Sequence, residues 1–417
     1  MKKSILSAAL LATPMMSNAA GFALIEQSGS GMGNAYAGAA AVAEDASTIY
    51  FNPAGMTYIE GTQVVGALHL IRPRGEFNDQ GSTGGLGRLP GGDGGDIGDL
   101  ALVPNFYYKR DISETVKFGL GLGAPFGLKT EYDKDWIGRF QGIKSELKTV
   151  NINPALAFKV NDQLSLGFGL NAMWIQAELT SAVNLVPFNT ESTLKVKGDD
   201  WGFGYNLGAI YQVTPDTRFG LAFRSKVDQK LRGDSDSPFT ALDGNPNLRL
   251  NGDVTAETTL PETLSLSGFT HLNDQWDLLG DVTWTRWSRF RELRILRENG
   301  STLAVTPENW NNTMRYSIGV NYKYSDTLKL RAGLAYDEEA IDDEFRTVRI
   351  PGNDRKWLTL GAGWQTSPNT KLDIAYAHLF ISDPDIDDNQ LAFARGRVRG
   401  DYDASVDMLS VQVTHNF

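Results

Sequence analysis

Residues 163–174 read Gln163-Leu164-Ser165-Leu166-Gly167-Phe168-Gly169-Leu170-Asn171-Ala172-Met173-Trp174. Leu164, Leu166, Phe168, Leu170, Ala172 and Trp174 fall on one parity, and Gln163, Ser165, Gly167, Gly169, Asn171 and Met173 on the other. Side chains alternate faces along a strand, so this is an extended strand with one apolar and one wet face. The same alternation recurs in Val150–Val160, in Leu328–Tyr336 and in Leu409–Phe417.

Fourteen such segments follow one another between residues 61 and 417, and their connections alternate between short and long. Asp111-Ile112-Ser113, Asn161-Asp162, Thr214-Pro215 and Ser325-Asp326 are short, whereas 73–99, 179–196, 232–251, 293–311, 339–354 and 382–401 are long. An even number of strands, with short turns at one end and long loops at the other, is the plan of an outer-membrane barrel. Many segments run about ten residues or more, the length a tilted strand needs to cross hydrocarbon, whereas strands of soluble folds run about 5–6. Trp136, Trp201, Tyr211, Trp276, Trp284, Trp287 and Trp357 lie near segment ends, where interfacial girdles are expected. The predicted fold is therefore all-β: a fourteen-stranded antiparallel transmembrane β-barrel over residues 61–417. A long loop follows the first strand, which places both termini on the periplasmic side.

Residues 1–19 have the three parts of a secretory signal: Lys2-Lys3, the apolar run from Ile5 to Ala12, and Ser17-Asn18-Ala19 before the cleavage point. The apolar run is too short to span a bilayer. The outer membrane of a Gram-negative bacterium is the expected destination.

Composition excludes several functions. The 417 residues contain no Cys and carry a formal charge of −11. Thiol catalysis and thiolate metal sites are absent, and nothing here would grip a nucleic acid. The four histidines, His69, His271, His378 and His415, stand alone in different segments without a nucleophile elbow or zinc-binding helix. An outer-membrane lipid hydrolase is the alternative of another class, and without a triad candidate no enzyme is expected. The acidic stretches 337–344 and 383–388 match no defined cation loop and read as solvated outer loops. No cofactor or metal is expected.

Residues 20–60 do not alternate. They are rich in Gly and Ala, and Phe22, Leu24, Ile25, Ile49, Tyr50 and Phe51 are too apolar to stay in water, where burial recovers roughly 25 cal/mol per Å². This segment is expected to fold into the lumen as an N-terminal hatch, or plug.

Ala20-Gly21-Phe22, the stretch Gly31–Gly38, Glu44-Asp45-Ala46-Ser47 and Asn52-Pro53-Ala54-Gly55 resemble the hatch of the long-chain fatty acid outer-membrane transporter family (FadL/TodX type). Gly123–Leu128, Trp201–Asn206, Leu260-Pro261-Glu262, Trp287-Ser288 and the terminal Phe417 extend the resemblance over the mature chain. It implies a monomer among outer-membrane lipids that takes up a hydrophobic small molecule, a fatty acid or a hydrocarbon. Capture occurs at the outer loops, a pocket near the hatch holds the molecule, and an inward kink of the third strand releases it sideways.

On this resemblance Asn52, Pro53 and Ala54 gate the passage, and the pocket takes in Phe22, Gln176, Asn311 and Arg315. Gln176 and Asn311 stand where a cation for a carboxylate is sought, so uptake of neutral or aromatic hydrocarbons stays open. Arg315, Lys323 and Arg331 share the lumen parity of their strands. The third strand carries Gly119, Gly121, Gly123 and then Pro125, where a kink costs least. The same glycines also suit close packing against a plug, and both readings stand.

Overall fold

The computed structural model describes residues 21–88 and 91–417, and the signal segment 1–19 lies outside the described residues. Its wall has fourteen strands. They are β1 (Gln63–Asp79), β2 (Ala101–Asp111), β3 (Val116–Gly123 and, after a break, Gly127–Glu131), β4 (Lys144–Lys159), β5 (Leu164–Leu185), β6 (Thr190–Gln212) and β7 (Thr217–Arg224 with Val227–Asp236). Then follow β8 (Gly252–Leu260 with Thr263–His271), β9 (Trp276–Thr285 with Glu292–Arg297), β10 (Thr302–Pro307 with Thr313–Lys323), β11 (Leu328–Asp337), β12 (Arg355–Ser367), β13 (Thr370–Ile381 with Asp385–Asn389) and β14 (Arg397–Asn416). Each pairs antiparallel with its neighbour, and β1 closes the ring on β14 from Gln63 opposite Asn416 to Asp79 opposite Gly400.

Leu166, Phe168 and Leu170 are 42%, 42% and 54% exposed, while Ser165, Gly167 and Asn171 beside them are buried. A water-soluble fold inverts this order, so the greasy outer band is a surface made for hydrocarbon.

The strands outrun the alternation. β1 continues to residue 79, and β5 and β6 climb to Leu185 and Thr190, leaving a four-residue connection where a long loop over 179–196 was expected. Above the bilayer both faces meet water or loops, so the two-faced pattern lapses although the ladder continues. The aromatic girdle also needs correction. Trp201, Tyr211 and Trp276 are exposed on the wall, but Trp136, Trp287 and Trp357 are buried. Position near a strand end says nothing about which face a ring takes.

Residues 21–60 are held by wall residues all round the ring. Gly29 N donates to Gln412 of β14 at 2.8 Å, and Asn34 Nδ2 to Asn321 of β10 at 2.8 Å. Ala40 N donates to Ser267 of β8 at 3.0 Å, and Gln27 O accepts from Tyr107 of β2 at 2.9 Å. The helices here are short: α1 (Gly29–Met32), α2 (Thr48–Phe51) and a 3-10 turn, Pro53–Tyr58. Inward glycines of the wall admit this backbone. A Cβ at Gly220 would lie 1.9 Å from Ala40 O, and one at Gly333 would lie 2.2 Å from Asn34 C.

Candidate functional site: a broken strand and the cavity beside it

Val116–Gly123 of β3 pairs with β2 only as far as Leu122 opposite Phe106. After the break, Gly127–Glu131 pairs with β4 alone. Gly123 faces Asn151 and Gly127 faces Lys148, so three residues of β3 stand against two of β4, a bulge. Pro125 has no N–H to give, and Thr149 secures the corner, its hydroxyl donating to Phe126 O at 2.6 Å and accepting from Phe126 N at 3.1 Å.

The break frees backbone groups that must find partners in so dry a place. The first residues of the N-terminal segment supply them. Leu24 N donates to Pro125 O at 2.8 Å and Gly127 N to Phe22 O at 2.8 Å, with Ala23 and Phe126 in an antiparallel bridge. Gln27 Nε2 donates to Ala124 O at 3.0 Å, and Asn105 Nδ2 of β2 to Glu26 O at 2.9 Å.

Gly119, Gly121 and Gly123 precede the break rather than form it. They make room for the lumen: a Cβ at Gly119 would lie 2.5 Å from Met56 Sδ, and one at Gly123 would lie 2.5 Å from Gln27 Oε1. Of the two readings of these glycines, close packing is the one with contacts. Pro125 lies in the break itself.

Beside the break is a cavity with about 900 Å³ of unfilled space, part of it open to solvent. Leu128, Ile175, Leu231, Phe290 and Ile350 line it with Phe22. The Phe22 ring sits in an aromatic cage, its centroid 4.9 Å from Trp287, 5.6 Å from Trp310, 5.8 Å from Phe290 and 6.0 Å from Phe126. On the other side of residues 23–25 is a more polar chamber of about 960 Å³, lined by Leu24, Tyr36, Arg224, Thr283 and Arg315 among others.

The structure places the four expected pocket residues in different surroundings. Phe22 lines the apolar cavity; Arg315 lines the polar chamber, donates to Ala35 O at 2.8 Å and lies 5.0 Å over Trp357. Gln176 shares the parity of Leu166, Phe168 and Leu170 on the outer face, and its neighbours Ile175 and Ala177 line the cavity instead. A one-residue slip in a strand exchanges faces. Asn311 is exposed and donates to Asp342 Oδ2 at 2.8 Å, while the adjacent Trp310 is 1% exposed within the cage. Arg331 does face inward and is buried, whereas Lys323 is exposed and paired with Asp326 in the turn.

Asn52 is fully buried. Its Nδ2 donates to Ala40 O at 2.7 Å and to Ala209 O of β6 at 3.0 Å, and its Oδ1 caps the 3-10 turn by accepting from Ala54 N at 3.1 Å. Pro53 starts that turn, and Ala54 is buried against the wall, where a Cβ at Gly167 would lie 2.3 Å from Ala54 N.

Ser145, Glu146 and Lys197 reach the apolar cavity from β4 and β6, whereas two further polar groups, Glu308 and Arg349, lie in stretches without periodicity that carry no sequence signal. Glu308 is 4% exposed, accepts from Trp310 Nε1 at 3.0 Å, and burial pushes its carboxyl up to about 8. Arg349 reaches in from the β11–β12 loop; burial and the neighbouring Arg395 draw its guanidinium down to about 10.

Residues 9–417 match the family described as outer membrane protein transport protein (OMPP1/FadL/TodX). Outer membrane protein P1 of Haemophilus influenzae is 32% identical over 416 residues, covering 90% of this chain and 89% of that one. The long-chain fatty acid transport protein of Escherichia coli is 28% identical over 413 residues, covering 90% and 91%. A solved Pseudomonas aeruginosa FadL homologue has a TM-score of 0.90 at 27% identity, over 95% of this chain and 100% of that one. The Pseudomonas putida toluene transporter TodX shares the fold at a TM-score of 0.72 and 18% identity, over 95% and 99%. The chain thus belongs to the OMPP1/FadL/TodX family of outer-membrane transport proteins, and it is a transporter rather than an enzyme.

Proposed function

We propose that this outer-membrane transporter of hydrophobic molecules takes up long-chain fatty acids or related apolar compounds. The outer loops capture the molecule, the cavity above Phe22 holds it, and it leaves sideways through the break in β3. Residues 20–60 are the hatch, with Asn52, Pro53 and Ala54 fixing it to the wall.

The observation that carries this reading is the bridge between Ala23 and Phe126. It makes the floor of the cavity and the edge of the wall break one structure, because Phe22 lines the cavity and Phe126 contacts Phe22. Moving residues 22–24 would open both at once. A sideways exit keeps an apolar tail out of water, whereas an axial one hydrates it again. Neutral and aromatic hydrocarbons have a claim on the same route, since the cavity lining is mostly apolar and neither Gln176 nor Asn311 lines it.

The test is a cross-link. Ala23 and Phe126 form a non-hydrogen-bonded antiparallel pair, with the roughly 4.5 Å Cα separation that a disulfide tolerates, and the chain has no Cys to compete. The Ala23→Cys, Phe126→Cys protein is expected to take up labelled oleate and toluene when reduced and to lose both when oxidised. Full uptake by the cross-linked protein would sink lateral release at this break.

A further inference from the structure

The apolar cavity shares part of its lining with a second, more polar cavity on the loop side. The outer cavity is lined by Gln141, Asp388, Gln390 and Arg395 among others, and shares Leu179, Val196, Leu293, Ile295 and Arg349 with the apolar cavity. A path that is polar at its mouth and greasy below has the shape of an amphipath.

Arg349 lines both cavities, and Arg395 lines the outer one beside it. Arg349, from the β11–β12 loop, is oriented by its own donations from Nη1 to Lys144 O at 3.1 Å and Ser145 Oγ at 2.9 Å. Arg395, from the β13–β14 loop, makes one long donation to Gln390 Oε1 at 3.4 Å. Among the described residues neither forms an ion pair within 4.0 Å, although 29 such contacts are found elsewhere in the molecule.

Two acids are close enough to matter. Asp388 accepts from Gln390 Nε2 at 2.9 Å, and burial raises its carboxyl. Glu308, bonded to Trp310 and raised to about 8, is largely protonated at neutral pH. Two half-buried cations therefore share at most one full countercharge. Like charges under desolvation are unfavourable, and an anion placed between them relieves both terms.

We propose that Arg349 and Arg395 clamp the carboxylate head of a long-chain acid whose tail runs down the shared Leu179–Val196–Leu293–Ile295 passage into the cavity above Phe22. Guanidinium forks match carboxylates by paired, charge-assisted hydrogen bonds. The cations that a carboxylate needs come in this chain from two outer loops. This inference rests on the cavity being the ligand site argued above.

Equilibrium binding of labelled oleate and labelled oleyl alcohol to the purified full-length barrel in a neutral detergent tests it. Arg349→Gln and Arg395→Gln are each expected to raise Kd for oleate about tenfold, the scale of one hydrogen bond to a charged group, and to leave oleyl alcohol within about twofold. Arg349→Lys keeps the charge and should restore most of the affinity, and heat-modifiable migration in gels monitors the fold. Equal weakening of oleate and oleyl alcohol, or an unchanged oleate Kd in both Gln variants, overturns the clamp. Wild-type protein that binds the alcohol but not oleate removes the clamp alone. If it binds neither, the cavity reading falls as well.

Discussion

Glu44 and Arg331 meet in the lumen: Glu44 Oε1 accepts from Arg331 Nη2 at 2.8 Å, and the same oxygen accepts from Lys371 at 2.9 Å and Lys329 at 3.1 Å. Arg331 Nη1 also lies 2.8 Å from Asp373. The N-terminal segment is thus fastened to β11 and β13 by charge. Burial by itself raises the Glu44 carboxyl, but the three cations outweigh it and hold it well below the usual carboxylate range.

Glu44→Gln leaves Arg331 and Lys371 with Asp373 and takes from Lys329 the carboxylate it bonds, a loss on the order of 3 kcal/mol for a broken buried pair. Amide exchange over residues 29–52 should quicken while the wall strands stay protected. The sign with pH follows from the lowered carboxyl. Its contribution is complete above the ordinary value of 4.5 and disappears as pH falls through the folded value, so acid should reproduce the effect in the wild type. Unchanged exchange in Glu44→Gln would show that this cluster does not anchor the segment.

A Cβ at Gly208 would lie 1.8 Å from Asn52 Oδ1. Gly208→Ala must therefore displace Asn52, and leaving buried carbonyls without their donor costs about 1–3 kcal/mol. Asn52→Ala with Pro53→Ala, and Gly208→Ala alone, are each expected to reduce oleate uptake while the barrel assembles normally. Combining them should add little, since both act through one contact. Normal uptake in a correctly assembled Asn52→Ala, Pro53→Ala protein would remove these residues from gating.

Glu308 supplies a pH signature. A carboxyl held at about 8 is neutral below that value and charged above it, with Arg349 of the β11–β12 loop and Asp388 at the end of β13 as the charged groups that act on it. Oleate affinity should fall as pH rises through about 8, because a new negative charge then faces the ligand's carboxylate. Glu308→Gln should flatten that fall, and binding of oleyl alcohol should not follow it. The folded protein itself loses stability as pH rises from the ordinary carboxyl value of 4.5 to about 8, where only the native state holds the proton, and no further above it. An oleate profile that is flat from neutrality to pH 9 would remove Glu308 from ligand binding.

Surface proteolysis reports the orientation. Leu248, in the connection between Asp236 and Gly252, is 52% exposed, and this stretch should be cut on intact cells. Asn161-Asp162 lies at the opposite end and should be cut only after the outer membrane is breached. The reverse pattern would turn the barrel over.

The wall was legible in the sequence. Leu164 to Trp174 states its own geometry, because each side chain's face follows from its neighbours two residues away and the lipid selects one face in strand after strand. The apolar character of residues 20–60 likewise announced burial, and it needed no partner to do so. What the sequence could not state is contact between distant segments. Ile175 and Ala177, on either side of Gln176, line the cavity, since strand parity is set by the whole ladder. Gly119, Gly121 and Gly123 are small because Met56, Ile49 and Gln27 come against them, a fact about the hatch rather than about β3. Glu308, Arg349 and Arg395 lie far apart in stretches with no period, and only closure of the barrel brings Arg349 beside Glu308 in one cavity and beside Arg395 in the next. Local alternation is a pairwise property of neighbours in the chain, whereas a binding site depends on which distant residues share a volume, and that is settled by packing.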